Sequence, residues 1–372
     1  MSKEQALKLL RKGISHLEGS SAGLSLDEVK RKYNLTEIIK LASNENPLGP
    51  SPKAVEVGRE MAAQMSVYPD PSGYNLRAAI ASAYGVTWEQ VLHGSGSSEL
   101  ITFIGAAFIN QGDESIIPKP TYHRYQEITQ IMGGENLLVP LKDYRVDLAE
   151  MAQRLSPRTK LIVIANPNNP TGDIVRQKEV EVFLKAVGKD RIVIFDEAYG
   201  EFVDDPAYPR ALEFISQGYA VIVLRTFSKV YALAGARVGY AISSPDIIKY
   251  LNRVRANFNV NRIGQMAAIA ALSDREHFRL STQMVWEGRQ FYYDKFQEMG
   301  LFYLPTWANF IFVKVGPDDM KVHEALVRKG VILRPMTPWG YKGFIRVTIG
   351  THDQNKKVVS ALEKSISEVQ GA

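Results

Sequence analysis

The sequence predicts an α/β protein: a large domain with a mainly parallel seven-stranded sheet, followed by a smaller α+β carboxyl-terminal domain. Three observations lead there. Seven short apolar runs, several rich in Val and Ile and bounded by Gly, Pro or Asn, alternate with amphipathic helical stretches between residues 90 and 242. Beyond about residue 270 the texture changes to long helical segments and a few strand-like runs. The 372 residues are 45% hydrophobic and 23% charged, the balance of a globular chain that can bury a sizeable core.

Taken in order, Met1–Lys12 reads as a short amphipathic helix without the apolar stretch of a signal peptide. No run is long enough to span a bilayer, so the expectation is a cytoplasmic protein with no membrane partner. Residues 1–30 are expected to form an arm, 31–270 the large domain and 271–372 the small one. The expected strands of the large sheet are Gln90–His93, Ser115–Pro118, Asn136–Leu141, Leu161–Ala165, Arg191–Phe195, Ala220–Arg225 and Arg237–Ile242. Strand and helix in alternation give parallel pairing, with both faces covered. The small domain is read as one long helix from Leu272 to Gln297, strand material over Phe302–Lys314, a helix over Met320–Lys329, strands Val331–Arg334 and Phe344–Ile349, and a final helix.

Composition removes several chemistries. Without cysteine there is no disulfide framework, thiolate nucleophile or cysteine-bound metal. Six histidines, at positions 16, 93, 123, 277, 323 and 352, never pair at a metal-ligand spacing, so no metal is expected. A net charge of +5 is mild and includes no basic run of the kind that grips nucleic acid.

Ligands of open α/β sheets gather at the carboxyl ends of strands, so the polar residues just after each run carry the functional signal. Asn166–Gly172 is a turn that offers the amides of Asn168 and Asn169 at a strand end. Asp196-Glu-Ala-Tyr199 ends the next strand with a carboxylate and a phenol, which either caps a helix or faces a cationic ring. Thr226-Phe-Ser-Lys229 follows the third. A lysine between an apolar strand and a small-residue stretch has a depressed pKa and can form an imine with a carbonyl. Thr226, Ser228 and Arg237 could hold a phosphate, and Gly94-Ser-Gly-Ser-Ser-Glu99 opens a helix whose free amides favour the same dianion. Tyr122 could stack on a flat ligand. A lysine for an imine, a carboxylate for a ring nitrogen, a phosphate cradle and a stacking ring are together the needs of pyridoxal phosphate.

On these residues, with Leu41–Pro47, Tyr68–Asp70, Glu201-Phe202, Arg225 ahead of Thr226–Lys229, Ala234-Gly235 and Arg346–Thr351, the sequence resembles the aspartate-aminotransferase-like, fold-type I pyridoxal-phosphate enzymes over nearly its whole length; no role is assigned to Arg225. The resemblance implies that Lys229 bonds the cofactor, Asp196 pairs with its ring nitrogen, and Tyr199 and Asn169 contact its ring hydroxyl oxygen. It implies stacking by Tyr122, phosphate binding by Ser97, Ser98, Thr226, Ser228 and Arg237, and a Tyr68 that reaches the phosphate of a neighbouring subunit, hence a homodimer. Asn44, Arg334 and Arg346 would bind substrates: Arg346 the carboxylate of glutamate and Arg334 a substrate phosphate. The implied partners are a small phosphorylated amine and a 2-oxo acid. An aromatic amino-acid aminotransferase and a threonine-phosphate decarboxylase share the cofactor residues and stay open as alternatives. Two departures from the family stand out: Ser15-His-Leu-Glu-Gly19 where the arm often has Pro-Tyr-x-Pro-Gly, and Ser98 where the cradle often has Asp.

Overall fold

Val and Ile pack well in strands because their branched side chains fill a pleated surface, and the seven predicted runs do form one sheet. A computed structural model describes residues 3–15, 17 and 26–371, so of the 15–19 stretch, 16, 18 and 19 lie outside the described residues. The strands are β1 (Ile39–Lys40), β2 (Val91–Gly94), β3 (Glu114–Lys119), β4 (Glu135–Pro140), β5 (Thr159–Ala165), β6 (Ile192–Asp196), β7 (Val221–Thr226), β8 (Gly239–Ile242), β9 (Tyr303–Leu304), β10 (Phe310–Lys314), β11 (Val331–Ile332), β12 (Arg334–Pro335) and β13 (Phe344–Thr348). The large sheet has the order β2-β8-β7-β6-β5-β3-β4. Its pairings are parallel from β7 through β4, and β8 alone runs antiparallel to both neighbours.

Period-two alternation divides the core between the two faces of this sheet. Ile162, Ile164, Val193, Phe195, Val221 and Val223 pack on one face, under Val180, Phe183, Leu184 and Val187 of the helix Gln177–Val187. Leu161, Val163, Ile192, Ile194, Ile222 and Leu224 pack on the other, under Leu100, Ile101, Phe103 and Ile104 of the helix Ser97–Phe108. Apart from the half-buried edge strand β4, the strands are covered and reach water mainly at their ends. Register then aligns those ends: Ala165 lies opposite Asp196, and Gly94 and Thr226 both lie opposite Gly239.

The carboxyl-terminal part contains the antiparallel sheet β12-β13-β10-β9 and the helices Asp319–Arg328 and His352–Gln370. The long helix expected over Leu272–Gln297 is present as Arg275–Glu298, and a separate helix, Arg262–Ser273, precedes it. Asp274 separates the two because its carboxylate accepts from the His277 backbone N–H and the Ser51 hydroxyl, the local bonding by which aspartate competes with a helix. The structure corrects the sequence reading at Val331–Arg334, which is split. Val331 and Ile332 pair in parallel with Ile39 and Lys40, while Arg334 and Pro335 join β13. Lys3–Leu9 is helical, and among the described residues no helix is long and apolar enough to cross a membrane.

The loop between β12 and β13 is fastened by a buried carboxylate. Asp319 accepts hydrogen bonds from the backbone N–H groups of Met336 (2.8 Å), Thr337 (2.9 Å) and Gly343 (2.8 Å), and from the Thr337 hydroxyl. Burial alone would raise its pKa, but the four donors outweigh burial and hold it below the usual carboxylate range. A depressed carboxylate stabilises the fold fully above its unfolded pKa, and that stability is lost as pH falls through the folded value. Asp319→Asn is therefore expected to cost about 2 kcal/mol in urea melts at pH 7, with the gap from the parent chain closing as the pH is lowered below about 3.9.

Candidate active site

Five strands of the large sheet deliver their carboxyl ends to one edge, and a cavity of about 620 Å³ opens there. The loops after β2, β3, β5, β6 and β7 line it, together with the segment 43–45 and side chains from β12, β13 and the intervening loop. Of the fourteen residues to which the resemblance gives a role, thirteen line this one cavity: Asn44, Ser97, Ser98, Tyr122, Asn169, Asp196, Tyr199, Thr226, Ser228, Lys229, Arg237, Arg334 and Arg346. Tyr68 does not. It is 76% exposed and stacks on Phe258 at 4.6 Å. Asn168 does not line it either: its amide nitrogen donates to the Pro120 carbonyl and the Thr171 hydroxyl instead.

The floor is built around Asp196, the last residue of β6. Its carboxylate is buried and accepts from the Tyr125 hydroxyl at 2.6 Å and the Ala198 N–H at 3.1 Å. Burial raises its pKa against these two donors and the nearby Lys229. Tyr199, three residues on, accepts a hydrogen bond from Asn44 Nδ2 at 2.9 Å, and burial raises the pKa of its phenol. Asn44 is itself held at a positive φ of 55° by Thr348 and Asn309, a conformation that asparagine tolerates better than most residues.

Lys229 enters just after β7 and points into the cavity, donating to the Ser43 carbonyl at 3.2 Å. Burial, then the positive charges of Arg346 and Arg237, lower its pKa to about 8. Thr226 donates to the Ser228 hydroxyl at 3.0 Å, and Arg237 lies beside Ser228 at 3.5 Å. Two glycines permit the close approach in this corner. A Cβ on Gly96, which sits at φ +81°, would come 2.5 Å from Arg237 Nη2, and one on Gly239 would come 2.6 Å from the Ser97 nitrogen. The amino end of the helix Ser97–Phe108, with Ser97 and Ser98 in its first turn, thus faces Arg237 across a small concavity. Tyr122 closes one side, its hydroxyl 3.0 Å from that of Ser98.

On the opposite wall Arg346 is buried, donating to Asn169 Oδ1 at 2.5 Å and to the Ala42 carbonyl at 2.9 Å, with its Nε unpartnered. Burial lowers its pKa to about 10. Arg334 lies directly across from it in the β12–β13 register, and among the described residues no carboxylate pairs with either arginine. Like charges opposed in a sheet repel, so the pair calls for an anion from outside the chain.

Residues 36–362 match the family described as aminotransferase class I and II. The chain is 44% identical to the histidinol-phosphate aminotransferase of Moorella thermoacetica over 96% of its own length and 93% of the relative's, and 42% identical to that of Caldicellulosiruptor saccharolyticus over 96% and 99%. The chain belongs to the class I and II aminotransferases, in the histidinol-phosphate aminotransferase family. Its fold matches the crystal structure of histidinol-phosphate aminotransferase from Sinorhizobium meliloti in complex with pyridoxal-5'-phosphate, with a TM-score of 0.85 at 26% identity, covering 95% of this chain and 98% of that one.

The family depends on pyridoxal phosphate, and the residues of this aminotransferase fit that group. Asp196 is a buried carboxylate whose hydrogen-bond partners are both neutral, which leaves its charge to be met by a protonated ring. Arg237, two glycines without Cβ and a helix amino end make a cradle for a phosphate. Lys229 has an amine depressed toward neutrality, as imine formation needs.

Two contributors escaped the sequence reading. Tyr125 lies three residues after Tyr122, in the first turn of the helix Arg124–Ile131, and the two rings meet edge to face at 5.7 Å. Behind the floor, Arg225 bonds Glu197 at 2.5 Å and Glu201 at 3.3 Å and lies over the Tyr84 ring, tying the ends of β6 and β7 together.

For this aminotransferase, Tyr125→Phe is expected to raise the dissociation constant for pyridoxal phosphate about tenfold in an absorbance titration, because the Asp196 carboxylate loses a charge-assisted hydrogen bond. The depressed lysine gives a pH test in cofactor-free protein. The folded chain binds the Lys229 proton less tightly than the unfolded chain, so stability is reduced below pH 8 and recovers as the pH rises toward the ordinary lysine pKa of about 10.4. Lys229→Met should be more stable than the parent by roughly 2 kcal/mol at pH 7, allowing for cavity water around the amine, and the difference should vanish near pH 10 in denaturant melts.

Proposed function

We propose that this chain moves an amino group from L-histidinol phosphate to 2-oxoglutarate, giving imidazole acetol phosphate and L-glutamate, in two half-reactions that share one site. The observation that carries this reading is the unpaired Arg334–Arg346 couple on the cavity wall, next to a lysine of lowered pKa. Two substrates must alternate in one place. Both of them end in an anion, a phosphate on the amine and carboxylates on the oxo acid, and a planar guanidinium fork suits either.

When bound, pyridoxal phosphate supplies an aldehyde that takes up the amino group and a protonated ring that accepts electrons from the carbon losing its proton. The protein residues do the rest. Asp196 keeps a proton on the ring nitrogen, while Tyr199 and Asn169 orient the ring hydroxyl oxygen. Tyr122 stacks on the ring, and Ser97, Ser98, Thr226, Ser228 and Arg237 hold the phosphate. Lys229 Nζ, uncharged in a useful fraction near neutral pH, takes the proton from the substrate carbon and returns it elsewhere as general base and acid. Arg346 and Arg334 fix the anionic ends, and Asn44 borders the reacting carbon.

We read the enzyme as a homodimer. Met65, Val67 and Tyr68 are exposed together, and Tyr68 stands outside its own chain's cavity, which supports its use by a second copy. The division into an arm over 1–30, a large domain over 31–270 and a small one over 271–372 belongs to the same reading. On it, the β1–β11 pairing ties the start of the large domain to the small one.

L-histidinol phosphate added alone to the holoenzyme should bleach the cofactor absorbance band at concentrations below those at which L-phenylalanine does so. Arg334→Ala should raise KM for histidinol phosphate at least tenfold while leaving that for phenylalanine within about twofold, and Lys229→Ala should abolish turnover. Bleaching by phenylalanine alone would overturn the assignment in favour of an aromatic amino-acid aminotransferase.

A further inference from the structure

We propose that Trp339 and His123 form the wall that receives the planar ring of the amino donor, which makes them specificity-determining residues; this rests on the reading above that the donor carries an imidazole. The tyrosines that line the cavity are engaged at its floor: Tyr125 with Asp196, Tyr199 with Asn44, and Tyr122 with Ser98. Trp339 and His123 line the same cavity without such a bond into the floor. Their rings meet at 6.1 Å with an interplanar angle of 88°. A right-angled corner lets a third ring lie face-on to one partner and edge-on to the other, the two arrangements that aromatic quadrupoles favour.

The corner spans the cleft. His123 follows β3 of the large sheet, and Trp339 belongs to the loop between β12 and β13. The ring of His123 also meets Tyr122 at 4.9 Å, so a ladder of rings leads from the cofactor's place outward to Trp339. Trp339 is held in position beforehand. Its backbone N–H donates to the Met336 carbonyl at 2.9 Å, and Asp319 anchors Met336 and Thr337 from below, so little ordering is needed when a ring arrives. The His123 side chain is 61% exposed and Trp339 is half-buried, so an incoming ring removes apolar surface of both from water. Arg346 lies 6.0 Å from the Trp339 ring, which sets the ring wall beside the anion wall, as a substrate with a ring on one arm and a phosphate on the other requires.

The test compares two amines on the holoenzyme: L-histidinol phosphate and alaninol phosphate, which keeps the amine and phosphate but has a methyl in place of the ring arm. In Trp339→Leu and in His123→Ala, the ratio of their kcat/KM values is expected to fall at least tenfold, and Trp339→Phe should restore most of it. A ratio unchanged within about twofold, with both amines slowed equally, would mean that Trp339 merely supports Arg346, and the proposal would be overturned. The His123 side chain is 61% exposed and makes no hydrogen bond to Arg346, so its variant decides the matter even if Trp339→Leu fails to fold. If the parent enzyme uses neither phosphorylated amine but does use L-phenylalanine, the substrate reading fails on its own. The wall is then judged by the same ratio taken between phenylalanine and alanine, with a tenfold fall supporting it and an unchanged ratio sinking it.

Discussion

Charge without an internal counter-charge is the constraint around which this molecule is arranged. A carboxylate (Asp196) and a guanidinium (Arg346) are buried in the floor and wall of one cavity, a lysine amine projects into it, and none of the three forms an ion pair within the described chain. Isolated buried charges are costly, and a fold keeps them only when something it binds supplies the missing partner. The directions of the pKa shifts express this. Burial raises the acid and lowers both bases, so each group is pushed toward its neutral form until a ligand of opposite charge enters.

The sheet makes that arrangement possible. Its strands are covered on both faces, so their ends are the places where polar side chains can gather, and parallel register brings Asp196, Thr226 and the loop after Ala165 to one edge. The ends are stiffened from behind by Arg225 between Glu197 and Glu201, whose own charges are met within the protein. Two kinds of buried charge therefore lie back to back. The network behind β6 and β7 pairs its arginine with two glutamates within the chain and fixes geometry, while the group in front is left open and does chemistry.

Much of this was legible in the sequence because it depended on local pattern. Lys229 and Asp196 each follow an apolar run directly, so locating the strands located the residues. What escaped depended on distance or on competition. Asp319 has no local sign of its role, since its partners Met336, Thr337 and Gly343 lie 17 to 24 residues away. The long helix starts at Arg275, three residues past the expected Leu272, because the Asp274 carboxylate caps it. β1 and β11 are two residues each, too short to carry any alternation, and only their pairing defines them. Trp339 and His123 are 216 positions apart by their numbers and meet only across the cleft.

The stitching of residues 39–46 to the end of the chain has a further consequence, for how the protein is made. Leu41 accepts from the Thr348 N–H, Asn44 donates to the Thr348 hydroxyl, and the carbonyl of Ala42 is held by Arg346. These contacts close loops of about three hundred residues. All seven strands of the large sheet lie between residues 91 and 242, so on a growing chain the sheet can assemble long before residue 348 is synthesised. Asn44 leaves the ribosome 304 residues before Thr348, whose hydroxyl it bonds. The reactive pocket is therefore a late product of biogenesis, completed by contacts that span 304 residues.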